Sequence, residues 1–319
     1  MPDALKFGYS FGMQPGEIPS AGDFLSFAED VERAGFDSLW VDDHIAFRAN
    51  YLESLGALAA FSARTERITL GSLVYLLPLR HPAIAAKAAA TVDYLSGGGR
   101  FVFGIGVGGE EEKEFELCGV PMKERGARTD ESIEVLRKLW SGETVSHRGN
   151  FFRFEETSQN PSPLTPGGPP IWVGGRSDAS RRRAAILGDG YVPYLFSPLR
   201  YEQGLDQIRQ WAAKAGRELE DPTRPWTPAL HMFVNLSENE NVAYDTGAEN
   251  LKLRYGRDMR EVARKYLLYG PLARCAETIE SFQRAGVRHF IFKAAAPANE
   301  EAGHMTRLAE ELLPMVRNQ

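Results

Sequence analysis

Two short stretches of the chain carry residue types that do chemistry. The first is PIWVGGRSDASRRRAAILGDGY, residues 170–191. In it an apolar run, Ile171, Trp172 and Val173, gives way to Gly174, Gly175, Arg176 and Ser177, and then to an alanine-rich pattern that stops at Gly188. That order reads as strand, glycine turn, helix. The first N–H groups of a helix have no partner within the chain, and the helix dipole adds partial positive charge there. A phosphate is stabilised at such a turn, where glycines let the backbone come close; Arg176 would add a charge-assisted contact and Ser177 a hydroxyl. An ordinary strand-to-helix connection, with Asp178 as N-cap and Gly188 as C-cap, uses the same residues, so the stretch alone leaves both readings open. The second is Asp42, Asp43 and His44, directly after the apolar run Leu39, Trp40 and Val41. Histidine is suited to proton transfer, and equally to a structural hydrogen bond with a loop carbonyl.

The elements that must position these residues recur as strand followed by helix. Strands are expected at residues 5–11, 37–43, 67–75, from Phe101, and at 171–173, 191–194, 229–235 and 289–293. Ser20 and Asp23 have the spacing of a capped helix start, and Pro82 suits a first helical position. Apolar runs without alternation, each followed by an amphipathic helix, imply a parallel sheet covered by helices. Eight such units favour closure of residues 1–319 into a single (β/α)8 barrel domain. An open doubly wound sheet is the alternative, invited by the GxGxxG spacing of Gly104, Gly106 and Gly109. Against it, glutamates follow where a pyrophosphate would sit, and no helix opens directly there.

Between strands four and five the rhythm breaks into an insertion. The acidic residues 110–116 read as a solvated surface loop, a helix resumes near Thr129, residues 144–154 have hairpin character, and residues 160–170 are rich in proline and glycine. In a barrel of this kind the site lies at the C-terminal ends of the strands. That selects Asp42, Asp43 and His44 after strand two, the end of strand three near Leu73 and Val74, Gly106 to Glu110 after strand four, and Gly174 to Ser177 after strand five.

Bulk properties narrow the function. The 319 residues are 43% apolar and 25% charged, as in ordinary globular proteins. A net charge of −6, with Arg181, Arg182 and Arg183 as the one basic run, argues against nucleic acid or an anionic membrane as partner. The longest apolar stretch, residues 68–79, is too short to span a bilayer, and MPDALKFGYSF has no secretory pattern, so a cytoplasmic protein is expected. Cys118 and Cys275 lack CxxC spacing and the histidines are dispersed, which favours neither a disulfide nor a metal. Lys293, near the end of strand eight, offers a Schiff-base enzyme as a competing reading.

Seven ordered segments resemble one family. They are SLWVDDHI (38–45), LGSLVYLLPLRHPAIAAKAAATVDYLSGGGR (70–100), FGIGVGG (103–109), EFELCGVP (114–121), PIWVGGRS (170–177), RRAAILGDGY (182–191) and AGVRHFIF (285–292). The chain resembles the luciferase-like flavin- or deazaflavin-dependent oxidoreductases, which share a TIM-barrel fold. The resemblance implies a cofactor phosphate at Gly174, Gly175, Arg176 and Ser177. It implies a ring resting on a bulge after strand three, held by a non-proline cis peptide that maps to Leu73-Val74 within one residue. It places His44 at the ring's reactive side as proton donor or positioning group, with Asp43 beside it and Gly106 and Gly108 along the cofactor. Gly109 stands where many relatives carry tryptophan, which leaves substrate contacts there open. The implied activity is foremost a monooxygenase that uses FMN reduced by a separate flavin reductase. A deazaflavin-dependent (F420-type) hydride-transfer dehydrogenase or reductase is the alternative, and a non-catalytic flavin-binding barrel a third reading. A small organic substrate and a second copy of the chain, as a homodimer, are the expected partners.

Overall fold

Runs of Val, Ile, Phe, Leu and Trp become parallel strands here because helices cover one face of each and the barrel interior covers the other. The computed structural model describes residues 4–12, 18–221 and 225–317; residues 1–3, where the amino-terminal stretch weighed above begins, lie outside it. The strands are β1 (Lys6–Phe11), β2 (Ser38–Val41), β3 (Thr69–Ser72), β4 (Tyr75–Leu76), β5 (Phe101–Gly106), β6 (Val145–Arg148), β7 (Arg153–Thr157), β8 (Ile171–Gly174), β9 (Gly190–Val192), β10 (Thr227–Leu236), β11 (Leu268–Gly270) and β12 (His289–Ala294). The helices that precede the second half of the barrel are α1 (Ala21–Arg33), α2 (Ser54–Ser62), α3 (Pro82–Leu95), α4 (Glu112–Leu117) and α5 (Arg125–Trp140). Those that follow are α6 (Asp178–Ile186), α7 (Pro198–Lys214), α8 (Glu240–Tyr255), α9 (Arg260–Tyr266), α10 (Leu272–Arg284), α11 (Ala298–Arg307) and α12 (Leu313–Arg317).

The sheet runs β12-β1-β2-β3-β5-β8-β9-β10 and returns to β12, all parallel, which closes the expected eight-stranded barrel and rules out the open sheet. Closure is made by β10, whose Thr227 and Pro228 pair with Gly190 and Tyr191 of β9 while Ala229 pairs with His289 of β12. At ten residues β10 outruns β9, and its far end takes β11 as a neighbour instead, a strand the sequence pattern did not reveal. Two tryptophans fill the interior. Trp40 and Trp172 lie with ring centroids 5.0 Å apart. A side chain on Gly71 would come within 2.3 Å of Trp40, and one on Gly190 within 2.7 Å of Trp172, so glycine at these strand positions makes room for the indoles.

Strand three departs from the continuous run 67–75 expected for it. It ends at Ser72, the Leu73-Val74 peptide is cis as the resemblance implied, and pairing resumes at Tyr75 and Leu76 against Ile105 and Gly106 of β5. Between β5 and β8 the chain leaves the barrel: β6 and β7 form a separate antiparallel hairpin. Glu131 of α5 holds its turn, accepting from the N–H groups of Asn150 (2.9 Å) and Phe152 (2.8 Å). The proline-rich segment is tied down by Asp93 of α3, which accepts from the Thr165 N–H at 2.9 Å.

Candidate active site

A cavity of about 340 Å³ opens at the C-terminal ends of the barrel strands. Of the residues singled out from sequence, Asp43, His44, Leu73, Val74, Gly106, Gly108, Gly174, Gly175 and Arg176 line it. The bulge is seated by missing side chains: a Cβ on Gly106 would meet Val74 at 2.5 Å and one on Gly174 would meet it at 2.9 Å. Those two glycines therefore have a packing reason to be glycine, independent of any ligand. Gly175 has φ +121 and a Cβ there would press on Ser180 at 2.9 Å, so a side chain at this turn would strain the fold as well as crowd the cavity.

Ser177 does not line the cavity. It is the N-cap of α6, in place of the Asp178 expected, and its Oγ accepts from the Ser180 N–H at 3.2 Å. Capping needs an extended residue just before the first helical one, and the helix opens one position earlier than the sequence pattern suggested. Two arginines of the basic run are also committed elsewhere. Arg181 bonds to Asp178, and Arg183 bonds to Asp130 and the Gly126 carbonyl. The Arg176 guanidinium lies over the Tyr194 ring, 4.8 Å from its centroid, and Tyr194 hydrogen-bonds Glu110 at the cavity edge.

His44 faces the cavity with a partner that sequence reasoning missed. The acidic stretch read as a solvated loop instead folds partly into α4, and Glu114 within it is fully buried, which corrects that expectation. Glu114 meets His44 Nδ1 at 3.1 Å and accepts from the N–H groups of Ile45 (2.6 Å) and Ala46 (3.1 Å). With a carboxylate as acceptor, Nδ1 carries the hydrogen, and Nε2 is the ring nitrogen left to the cavity as base when neutral and acid when protonated. Phe47 stacks on the imidazole, centroids 4.1 Å apart, and Tyr51 packs at 4.8 Å, so the ring is held in one orientation. The signal available in sequence was the helical spacing of Glu114 and Phe115 with Cys118, which puts a buried face on an acidic segment.

Burial opposes the charge on Glu114, but His44 and the two backbone N–H groups outweigh it and hold its carboxyl below its ordinary value of 4.5. A carboxyl depressed in the folded state stabilises above its unfolded pKa and loses that contribution as pH falls through the folded one. The stability gap between the wild type and Glu114→Gln, measured by urea denaturation, is therefore expected to persist down to about pH 4.5 and to shrink as pH is lowered further. A gap that stayed constant would contradict the ionised assignment.

The other carboxylates of the rim divide the work. Asp43 accepts from Arg80, from Ser54 Oγ (3.1 Å) and from the Leu76 N–H (2.9 Å), so it fastens the strand beyond the bulge to the end of β2. Its acceptor positions are filled by the wall itself, which makes it a scaffold of the cavity. Asp42 faces the cavity and is backed by Ser10 Oγ at 3.1 Å and by an ion pair with Lys293. Burial works against its charge, but Lys293 and Arg254 outweigh it and lower its pKa from 3.8. Lys293 itself is fully buried, and burial, aided by the charge of Arg254, brings its ammonium down to about 8. Enclosed and paired, it does not reach the cavity, which removes the Schiff-base reading. His231, Phe233, Arg254, Tyr51 and Tyr255 complete the wall and had not been singled out, because they come from β10, α8 and a loop whose rim positions have no local sequence signature.

A family model of luciferase-like monooxygenases matches residues 6–289. The chain belongs to that family. Among relatives of this family member, an F420-dependent glucose-6-phosphate dehydrogenase of Nakamurella multipartita is 26% identical across 99% of this chain and 98% of its own length. A monooxygenase of Streptomyces bottropensis, solved by crystallography, is 27% identical with a TM-score of 0.82 over 97% of this chain and 99% of the other. An F420-dependent secondary alcohol dehydrogenase, in complex with an F420-acetone adduct, shares the fold at a TM-score of 0.83 with 20% identity, covering 98% of this chain and 99% of that one.

Proposed function

We propose that the protein transfers a hydride between an F420-type deazaflavin and a small alcohol or carbonyl compound, with His44 moving the accompanying proton. As a member of its family the chain is a flavin- or deazaflavin-dependent oxidoreductase acting on a small substrate. The observation that carries the finer reading is the His44–Glu114 pair facing the bulge and the glycine turn across one cavity. Full-length similarity to a deazaflavin-dependent dehydrogenase supports it over oxygen chemistry.

The residues present fit such a cofactor. Leu73, Val74 and Leu76 give a flat group an apolar wall, and the Gly174-Gly175 turn leaves room for a backbone-bound phosphate. When bound, the cofactor supplies the two-electron chemistry that no side chain provides. The protein's own part is to hold and orient. The α6 turn and Arg176 would bind the phosphate, the bulge would support the ring, and His44 Nε2 would give or take the substrate proton while Glu114 stabilises the imidazolium. A non-catalytic binding barrel would have no use for a histidine oriented by a buried carboxylate.

Use of FMN in a monooxygenase, with a separate reductase, is the second reading, favoured by the 27% identical monooxygenase. Fluorescence titration with each cofactor, followed by oxygen uptake measured with the reduced forms, separates the two. Tight FMN binding with substrate-dependent oxygen uptake would overturn hydride transfer. A homodimer and a cytoplasmic location are further parts of the proposal, tested by sedimentation and by cell fractionation. Among the described residues, no helix is long and apolar enough to cross a membrane.

A further inference from the structure

One wall of the cavity is polar for a reason that His44 does not supply. His231 and Phe233 sit two apart on β10 and both turn inward to the cavity. His231 is 8% exposed, its ring contacts are Tyr194 and Phe233, and its shielded Nε2 has no hydrogen-bond partner among the described residues. Burial, together with the charges of Lys293 and Arg254 and against that of Asp42, brings its pKa down to about 3, so the ring is neutral. Asp42 faces the same cavity with its carboxylate steadied by Ser10 and Lys293. Each of its oxygens has a second lone pair to offer.

We propose that Asp42 and His231 form a hydroxyl-binding subsite that anchors a second hydroxyl of the substrate, apart from the group that meets His44. The inference rests on the reading of the cavity as the site of hydride transfer and names the substrate class it takes: a small compound with a hydroxyl neighbouring the reacting carbon. A hydroxyl suits the pair because it donates one hydrogen bond and accepts another, to Asp42 and from His231 Nε2–H. A carboxylate or phosphate in that place would meet the charge of Asp42, and an alkyl group would leave the buried Nε2 of His231 without a partner.

The test uses 1,2-propanediol and 2-propanol, which differ by one hydroxyl, with binding followed by ligand-observed NMR on protein loaded with reduced cofactor so that neither alcohol is consumed. The wild type is expected to bind the diol at least about tenfold more tightly, and His231→Phe and Asp42→Asn to lose that preference. His231→Gln, which keeps an N–H donor at similar volume, is expected to retain part of it, and thermal melts check that each variant is folded. Equal affinity for the two alcohols in the wild type, or a preference unchanged in folded His231→Phe, would overturn the subsite. So would displacement of the diol by inorganic phosphate, which would make the wall an anion site. Loss of cofactor affinity in His231→Phe would place the histidine under the cofactor and also overturn it. A chain that took neither cofactor, yet preferred the diol when titrated without one, would sink the hydride-transfer reading and leave the subsite standing.

Discussion

Replacing His44 by alanine is expected to lower turnover by roughly 100-fold or more, the usual cost of losing a positioned proton-transfer group. The imidazole presents Nε2 to the cavity because Nδ1 is committed to Glu114, and Phe47 and Tyr51 allow it no other orientation. Cofactor binding is expected to survive largely intact, since the glycine turn and the bulge come from β8 and from the end of β3 and do not depend on His44. Single-turnover rates with each cofactor, beside a binding titration, separate the two effects. Turnover at the wild-type rate would leave His44 a purely structural role. Glu114→Gln should give a smaller loss of the same kind, because glutamine still accepts from the Ile45 and Ala46 N–H groups but carries no charge to stabilise a protonated ring.

Lys293→Met is expected to cost about 3–5 kcal/mol of stability, toward the lower end of that range. The methionine fills similar volume but strips Asp42 of its ion-pair partner. The lysine side chain is 1% exposed and that of Asp42 13%, so the carboxylate would keep the Ser10 Oγ hydrogen bond, the more distant charge of Arg254 and slight access to the cavity in place of a direct counter-ion. Adding Asp42→Asn should recover much of the loss, because the stranded charge is then gone. Denaturant unfolding of the two single variants and the double variant reads this directly. A Lys293→Met protein within about 1 kcal/mol of the wild type would mean that the pair behaves as an exposed one.

What the amino-acid sequence determined by itself is the set of features written in short range. Apolar runs of strand length followed by amphipathic helices specified eight strand–helix units. The glycine turn after Val173 and the capped start at Ser20 followed from local chemistry, and in the structure Ser20 Oγ accepts from the Asp23 N–H at 3.1 Å. The rim position of His44 followed from the rule that such barrels place function at strand ends. The Leu73-Val74 bulge was legible only through family resemblance; periodicity alone ran strand three straight through it.

Tertiary structure alone decided which of these residues meet. Glu114 lies 70 residues from His44, and Lys293 lies 251 from Asp42. No local period reports such pairs. The acidic segment looked solvated because most of its residues are charged, yet one turn of helix is enough to bury Glu114 against the backbone of residues 45 and 46. His231 reads as one more apolar-strand residue until closure of β10 against β9 and β12 turns it into the cavity beside Asp42. The physical reason is the same in each case: a closed parallel barrel gathers the C-terminal ends of all its strands into one mouth, so residues distant in the chain share a low-dielectric space. There their charges and hydrogen bonds are settled by one another and no longer by their neighbours in sequence.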